Sequence, residues 1–283
     1  MRHAFHIIAA IICSLWVCSC GDEPPVAEPC LVVEGWIDSD GYPVVILTST
    51  AIPSQDGGDL MDNMIRWGKV SISDGTETVL LTGGPDNQYF PPYTYRSYRM
   101  QGRVGKTYTI EAEYAGMKCH ASSTLLPPPA IDSITLHPIE DNPPFYAATL
   151  YMTSTGEGCY RIFTRVLNSE TRHYPAMMGT FRTGTAGERV SIPVFRGKHA
   201  TDTVKFAPQF LPGEVVDVMV CHIDPAAYDF WTDYDNTVTF GGGMFVGTPA
   251  SLRSNITGGY GLWSARGVTR RTLRVPSSPT DHN

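Results

Sequence analysis

Eight histidines, seven cysteines and 28 acidic residues give this 283-residue chain the raw material for chemistry, but their spacing does not assemble it. There is no Gly-x-Ser-x-Gly elbow, no His-Glu-x-x-His, no Walker loop and no Cys-x-x-Cys. His120, His137, His173, His199, His222 and His282 are scattered, without the short spacings that bring ligands to one metal ion. Asp38 and Asp40 could open a calcium loop, yet the further carboxylates such a loop needs do not follow, and Asp and Gly are ordinary turn residues. Asp229, Asp233 and Asp235 could supply a carboxylate pair for glycoside chemistry. The plainer reading of the three is a solvated helix face opposite Tyr228 and Trp231. Gly241 to Gly247 has the composition of a phosphate cradle but lacks the strand and helix that would aim backbone N–H groups at a phosphate. No catalytic residue, metal or cofactor is therefore expected. The segment that reads as a binding loop is Gly83 to Tyr93, where Tyr89, Phe90 and Tyr93 stand among Pro and Gly. Rigid aromatic rings in loops anchor protein partners and can stack on sugars; the alternative is that Tyr89 and Phe90 fold back over a sheet edge.

A different chemistry is written near the N-terminus. Arg2, His3 and His6 precede an apolar run from Ile7 to Val17, the order of a secretory leader over residues 1–19. The run is shorter than the roughly 18 apolar residues a spanning helix needs. Val17-Cys18-Ser19-Cys20 resembles a bacterial lipobox, which would be cut before Cys20 and acylated there. An ordinary secretory cut nearby and lipidation at Cys18 are the alternatives. Each buried methylene contributes about 0.8 kcal/mol, so two or three acyl chains on Cys20 would hold a folded protein on a bilayer. Residues 20–29, with Pro24, Pro25 and Pro29, read as a semi-extended tether.

The formal net charge is −7, and loss of the leader removes one base, Arg2, and no acid. An acidic protein of this kind is a poor partner for nucleic acid or for a surface that recruits polybasic segments. With 22 Pro, 27 Gly and 14 Tyr the chain reads as β-rich, and its length suggests two domains. Cys30, Cys119, Cys159 and Cys221 would remain in an oxidising compartment. Of their three possible pairings, Cys30 with Cys119 and Cys159 with Cys221 is preferred here. Buried thiols are the alternative.

The elements that would position these residues follow a period of two. Leu31 to Ile37 and Val44 to Thr48 read as strands around an Asp38-Ser39-Asp40-Gly41 turn. Ser54 to Asp62 reads as loop. Val70 to Ser73 and Thr76 to Leu81 form a hairpin through Asp74-Gly75, expected as a type I′ turn. Tyr108 to Tyr114 returns through Ala115-Gly116 into Met117 to Ser122, with Cys119 inward and His120 in water. Pro127-Pro128-Pro129 marks the boundary between a domain over 30–126 and another over 130–276, with a tail over 277–283. Further strands are expected over 131–136, 147–153, 159–167, 189–195, 201–206, 215–223 and 269–275. One helix is expected over 225–235, capped by Asp224 and begun by Pro225. The fold class is all-β, a β-sandwich followed by a second β-rich domain with one short helix.

Several segments in this order resemble Bacteroidota lipoproteins of the domain-of-unknown-function 4249 family. They are the acylated cysteine, Leu31-Val32-Val33-Glu34-Gly35-Trp36-Ile37, Gly105-Lys106-Thr107-Tyr108-Thr109-Ile110, Leu126-Pro127-Pro128-Pro129-Ala130-Ile131-Asp132, and Asn255-Ile256 with Gly258-Gly259-Tyr260-Gly261. Gly21-Asp22-Glu23 resembles the acidic signal such lipoproteins carry to the outer face of the outer membrane. The resemblance implies an immunoglobulin- or fibronectin-III-like N-terminal sandwich and a second β-rich domain. It implies partnership with a TonB-dependent receptor and no catalytic residues. The expected function is a surface-exposed, lipid-anchored accessory module that takes part in nutrient uptake. A glycan-binding or glycan-processing protein and a structural adhesin module are the alternatives.

Overall fold

Leu31, Val33 and Ile37 alternate inward with Val32, Glu34 and Trp36 along the first strand, β1 (Leu31–Asp38), and this pattern sets two faces that the whole molecule shares. The computed structural model describes residues 29–50, 60–139, 145–197, 207–240 and 252–277. Cys20, the leader, almost all of the tether, the strand expected over 201–206, Gly241 to Gly247, His199, and the tail beyond Ser277 with its His282 lie outside these residues.

The remaining strands are β2 (Val44–Ser49), β3 (Lys69–Ser73), β4 (Thr78–Leu80), β5 (Thr82–Pro85), β6 (Tyr93–Arg96), β7 (Thr107–Tyr114), β8 (Met117–Thr124), β9 (Ser133–Ile139), β10 (Phe145–Thr153), β11 (Gly158–Val166), β12 (Tyr174–Thr183), β13 (Arg189–Val194), β14 (Val215–Ile223) and β15 (Gly259–Arg274). An eight-stranded sheet in the order β12-β11-β14-β15-β1-β2-β6-β5 runs through both halves of the chain. A four-stranded sheet, β4-β3-β7-β8, covers its N-terminal half, and a three-stranded sheet, β13-β10-β9, covers the other. Two cores lie between these layers. Leu31, Val33, Leu47, Val70, Ile110 and Trp263 belong to the first, and Tyr146, Leu150, Ile162, Val218 and Phe210 to the second. The all-β class with one helix is what the structure has.

The boundary at Pro127 to Pro129 divides the chain but not the fold. Strand β15 pairs in parallel with β1, Leu31 opposite Gly259 through Asp38 opposite Arg266. It then runs on antiparallel to β14, from His222 opposite Gly267 to Val215 opposite Arg274. Trp263, fully buried, thus completes the first core from near the far end of the chain, its indole N–H donating to the Tyr108 carbonyl (2.8 Å). Truncating so large a core side chain costs about 3–5 kcal/mol. The expectation of a last strand starting at Thr269 missed the first ten of the sixteen residues of β15 because glycines and serine there break the apolar pattern. Close packing explains them: Gly261 has φ +112°, and a Cβ on it would run into the carbonyl oxygen of Val33 on the neighbouring strand. Asn255 holds the strand's free edge, its side chain accepting from Trp263 N (3.0 Å) and donating to Trp263 O (2.7 Å).

Local turns follow local chemistry. Ala115 and Gly116 both have positive φ (49° and 85°), as a two-residue type I′ hairpin requires. Cys119 is buried and His120 exposed, as the alternation predicts. The Asp74-Gly75 turn differs from expectation: the loop is four residues long, and of the pair only Gly75 has positive φ. There the Asp74 carboxylate accepts from Thr76 N (2.8 Å) and Glu77 N (2.9 Å), which stabilises a wider turn. These two bonds hold the Asp74 carboxyl below its ordinary range. The helix α1 (Pro225–Phe240) starts where expected and runs five residues further. Asp224 caps it, accepting from Ala227 N (2.8 Å), and its other oxygen accepts from the Ser123 hydroxyl on β8.

Cys119, Cys159 and Cys221 are thiols, and neither of the two preferred disulfides is formed. Cys119 packs in the first core. Cys221 lies with Phe163, Met219, Ile223 and Leu262 in a third apolar cluster, with Cys159 partly buried against it. Burial pushes the Cys119 thiol up to about 11 and the Cys221 thiol up to about 12, so both behave as small apolar side chains.

Candidate functional site

The two outer sheets both cover one face of the long sheet. Alternation along β15 sends Trp263, Ala265 and Leu273 to that face and Leu262, Arg266 and Val268 to the other. This second face carries the third apolar cluster and, beside it, a group of arginines and aromatic rings drawn from distant parts of the chain.

Arg266 is the joint between them. It is buried, bonds Asp38 through Nε (2.6 Å), and lies over the rings of Trp36 (5.0 Å) and Phe163 (5.2 Å). On its other side, Tyr89 packs on Trp36 with ring centroids 5.7 Å apart. The loop carrying Tyr89 is pinned by Asp86, whose carboxylate accepts from Arg96 (2.6 Å) and from Gln88 N (3.1 Å) and whose N–H donates to the Pro92 carbonyl (3.1 Å). Arg96 and Arg172 both stack on the Tyr89 ring, at 5.6 and 4.7 Å, and Arg172 also stacks on Tyr174 at 4.9 Å.

Helix α1 closes the other flank. Arg161 is fully buried beneath it and donates to Asp235 (2.6 Å), Thr180 Oγ1 (2.8 Å) and the Ala176 carbonyl (3.0 Å). A bulge makes this possible. Between the Arg161–Thr180 and Phe163–Pro175 pairs, β12 carries three residues more than β11, which frees the Ala176 carbonyl and the Thr180 N–H from the ladder. Thr180 N then donates to Asp235 as well (3.2 Å). Trp231 covers the guanidinium at 4.7 Å and meets Phe163 edge-on. Burial pulls the Arg161 pKa down and Asp235 opposes the change.

Glu34 stands on β1 between Leu262 and Ile46 on the neighbouring strands. The residue is exposed to solvent, yet protein surrounds its carboxyl closely enough that desolvation raises the pKa against the pull of Arg172 and Arg266. Tyr89 and Tyr234 are raised by the same cause, and Arg172 acts electrostatically on both. A polar and aromatic surface of this kind can hold a ligand through charge-assisted hydrogen bonds.

Of the residues expected in a binding loop, the structure brings Tyr89 into this site and leaves Phe90 beside it with 41% of its surface exposed. Tyr93 goes elsewhere: it packs against the first core and donates to the Arg66 carbonyl (3.1 Å). Asp229 and Asp233 form salt bridges with Arg253 (3.1 and 2.8 Å), which holds Asp233 below the ordinary carboxylate range. His173 bonds Asp217 (3.0 Å), and His222 bonds the Pro127 carbonyl (2.9 Å) and stacks on Tyr160. Glu34, Trp36, Arg172, Tyr234 and Arg266 escaped the sequence reading. The available signal was Glu34 and Trp36 sharing the outward parity of one strand. A shallow depression of about 510 Å³ on the outer face of β9, β10 and β13 is lined by Thr135, His137, Tyr151 and Arg189, and Thr135 and His137 bond each other.

Among the described residues no helix is long and apolar enough to cross a membrane, and no three His, Cys, Asp or Glu side chains converge as a metal site requires. The family model described as "Domain of unknown function (DUF4249)" matches residues 22–272. Comparison with curated proteins gave no match.

Proposed function

The chain belongs to this family of unknown function, and from that premise we propose that it is a non-catalytic binding module of a Bacteroidota cell. It is held on the outer face of the outer membrane by acyl chains on Cys20 and partners a TonB-dependent receptor in nutrient uptake. The leader, the lipobox-like Val17 to Cys20 and the acidic Gly21-Asp22-Glu23 support the placement. The observation that carries the binding role is the Tyr89 loop, folded onto Trp36 between two arginines with Phe90 outward. Aromatic rings and arginine on a rigid support are the residues that dominate protein interfaces. Binding is preferred to catalysis because Asp38, Asp86 and Asp235 are already bound to buried or half-buried arginines that hold the fold, which leaves them poorly placed for proton transfer.

The test is purification of the tagged lipoprotein from detergent-solubilised outer membranes. A TonB-dependent receptor is expected to come with it, and repeated purification without a receptor would remove the partnership. Labelling of intact cells with a membrane-impermeant reagent is expected to reach the protein; labelling only after lysis would place it inside.

A further inference from the structure

On the second face of the long sheet, opposite charges are left over after the structural pairs are made. Arg96, Arg161 and Arg266 each meet an aspartate at 2.6 Å. Arg172 does not. Its guanidinium lies over the rings of both Tyr89 and Tyr174, and its Nε is buried without an acceptor among the described residues. Among the described residues no carboxylate forms an ion pair with it. Glu34 is its counterpart, a carboxylate reaching solvent that bonds no donor among the described residues. Glu34 shares the outward face of β1 with Trp36, Tyr89 packs on Trp36 at 5.7 Å and Arg172 stacks on Tyr89 at 4.7 Å, and no ion pair joins Glu34 to Arg172 among the described residues. The hydroxyl of Tyr89, whose ring Arg172 stacks on, and that of Tyr234, whose ring packs on Trp231, likewise bond no group among the described residues.

The ring faces, by contrast, are occupied. Trp36 is covered by Tyr89 and Arg266, and Tyr89 by Trp36, Arg96 and Arg172. Neither of these two rings offers a sugar an open platform to stack on. The open groups are polar ends of both signs, and a ligand that satisfies them must carry both signs itself.

We propose that Arg172 and Glu34 receive a small zwitterion, an amino acid or short peptide, with its carboxylate on Arg172 and its ammonium on Glu34. This rests on the reading of the protein as a binding module and names the ligand class of that site. Arg172 suits a carboxylate because its planar fork is preorganised by the two rings. The Tyr89 and Tyr234 hydroxyls are available to the peptide groups between the two ends. Each residue of an extended peptide adds roughly 3.5 Å, so a fixed Arg172–Glu34 spacing selects a length.

The experiment is calorimetric titration of the purified protein with the twenty free amino acids and with alanine peptides of two, three and four residues. Glucuronate serves as a carboxylate without an ammonium group. Saturable binding is expected at one length, weakened at least tenfold by N-acetylation or by C-amidation. Arg172→Gln is expected to weaken binding and to abolish the discrimination against the amide. Glu34→Gln is expected to weaken it and to abolish the discrimination against the acetylated form. Arg172→Lys, which keeps the charge, and a melting curve for each variant separate loss of the site from loss of the fold. No binding by any zwitterion, equal binding of the capped peptides, or preference for glucuronate would overturn the proposal. Receptor co-purification by the Arg172→Gln and Glu34→Gln proteins is read separately: a receptor retained while no zwitterion binds sinks the ligand class and leaves the binding module standing.

Discussion

Glu34 is one residue of an otherwise apolar strand, and its position follows from parity: Leu31, Val33 and Ile37 take the core, so Glu34 and Trp36 take the other face. What lies above them comes from residues 89, 172, 234 and 266, far away in the chain. The consequence can be measured. The Glu34 carboxyl pKa is raised by desolvation, so the folded state holds its proton to higher pH than the unfolded chain does. Its contribution to stability is therefore fully present below the unfolded value of about 4.5 and is lost as pH rises through the folded value. Glu34→Gln removes that loss, and its melting temperature is expected to exceed that of the parent at pH 7 to 8, modestly because the residue is exposed. The difference should close as the pH approaches about 4. A lower melting temperature for Glu34→Gln at pH 7 would show instead that the carboxylate makes a stabilising contact. At this scale the period of two places Cys119 inward and His120 outward, as the structure has them, while the shared parity of Glu34 and Trp36 goes unread. It could not reveal Arg172, because an arginine in a polar loop shows no sign of the two rings that grip it.

Among the elements, α1 was the most legible. Asp224, Pro225 and the spacing of Tyr228, Trp231 and Tyr234 announce a capped helix with one apolar face, and the cap is made as expected. Its seat was not legible, since it depends on β12 and the bulge within it, and no strand is expected from the sequence over Tyr174–Thr183. Asp235 fastens the helix to that bulge through Arg161 and Thr180. Asp235→Ala leaves a buried guanidinium without its anion, which costs about 3–5 kcal/mol when a buried pair is broken from one side. In a protein of this size that corresponds to a fall in melting temperature of about 10 °C. Replacing both partners, Arg161→Met with Asp235→Leu, is expected to recover most of it, because the charge to be compensated is gone. If Asp235→Ala alone changed the melting temperature by less than about 2 °C, the pair would not be what holds the helix.

For the whole molecule, composition and period were enough for an all-β chain with two cores, but not for the single sheet that joins them. Parallel pairing of β1 with β15 links residues more than 200 positions apart, and no local pattern encodes such a contact. The Asn255 to Gly261 segment, which precedes the last strand expected from the sequence, is the seam itself. Gly261→Ala combines a left-handed φ with a collision against Val33, and is expected to destabilise the protein by about 3 kcal/mol or more. Since the seam joins both cores, the loss should appear in one cooperative transition. Two transitions, with only the N-terminal one shifted, would show that the halves fold independently. Joining both halves into one continuous sheet also gives the site its form: the Tyr89 loop comes from the first half, Arg172 and α1 from the second, and β1 with β15 between them supplies Glu34, Trp36 and Arg266.

That this face meets a partner at the cell surface is tested most directly by photo-cross-linking in living cells, with a photoreactive amino acid at position 90, beside Tyr89, or at position 111, exposed on the opposite side of the first sandwich. A cross-link to a TonB-dependent receptor is expected from position 90 and none from position 111. A receptor captured from position 111 alone, or from neither position, would contradict it.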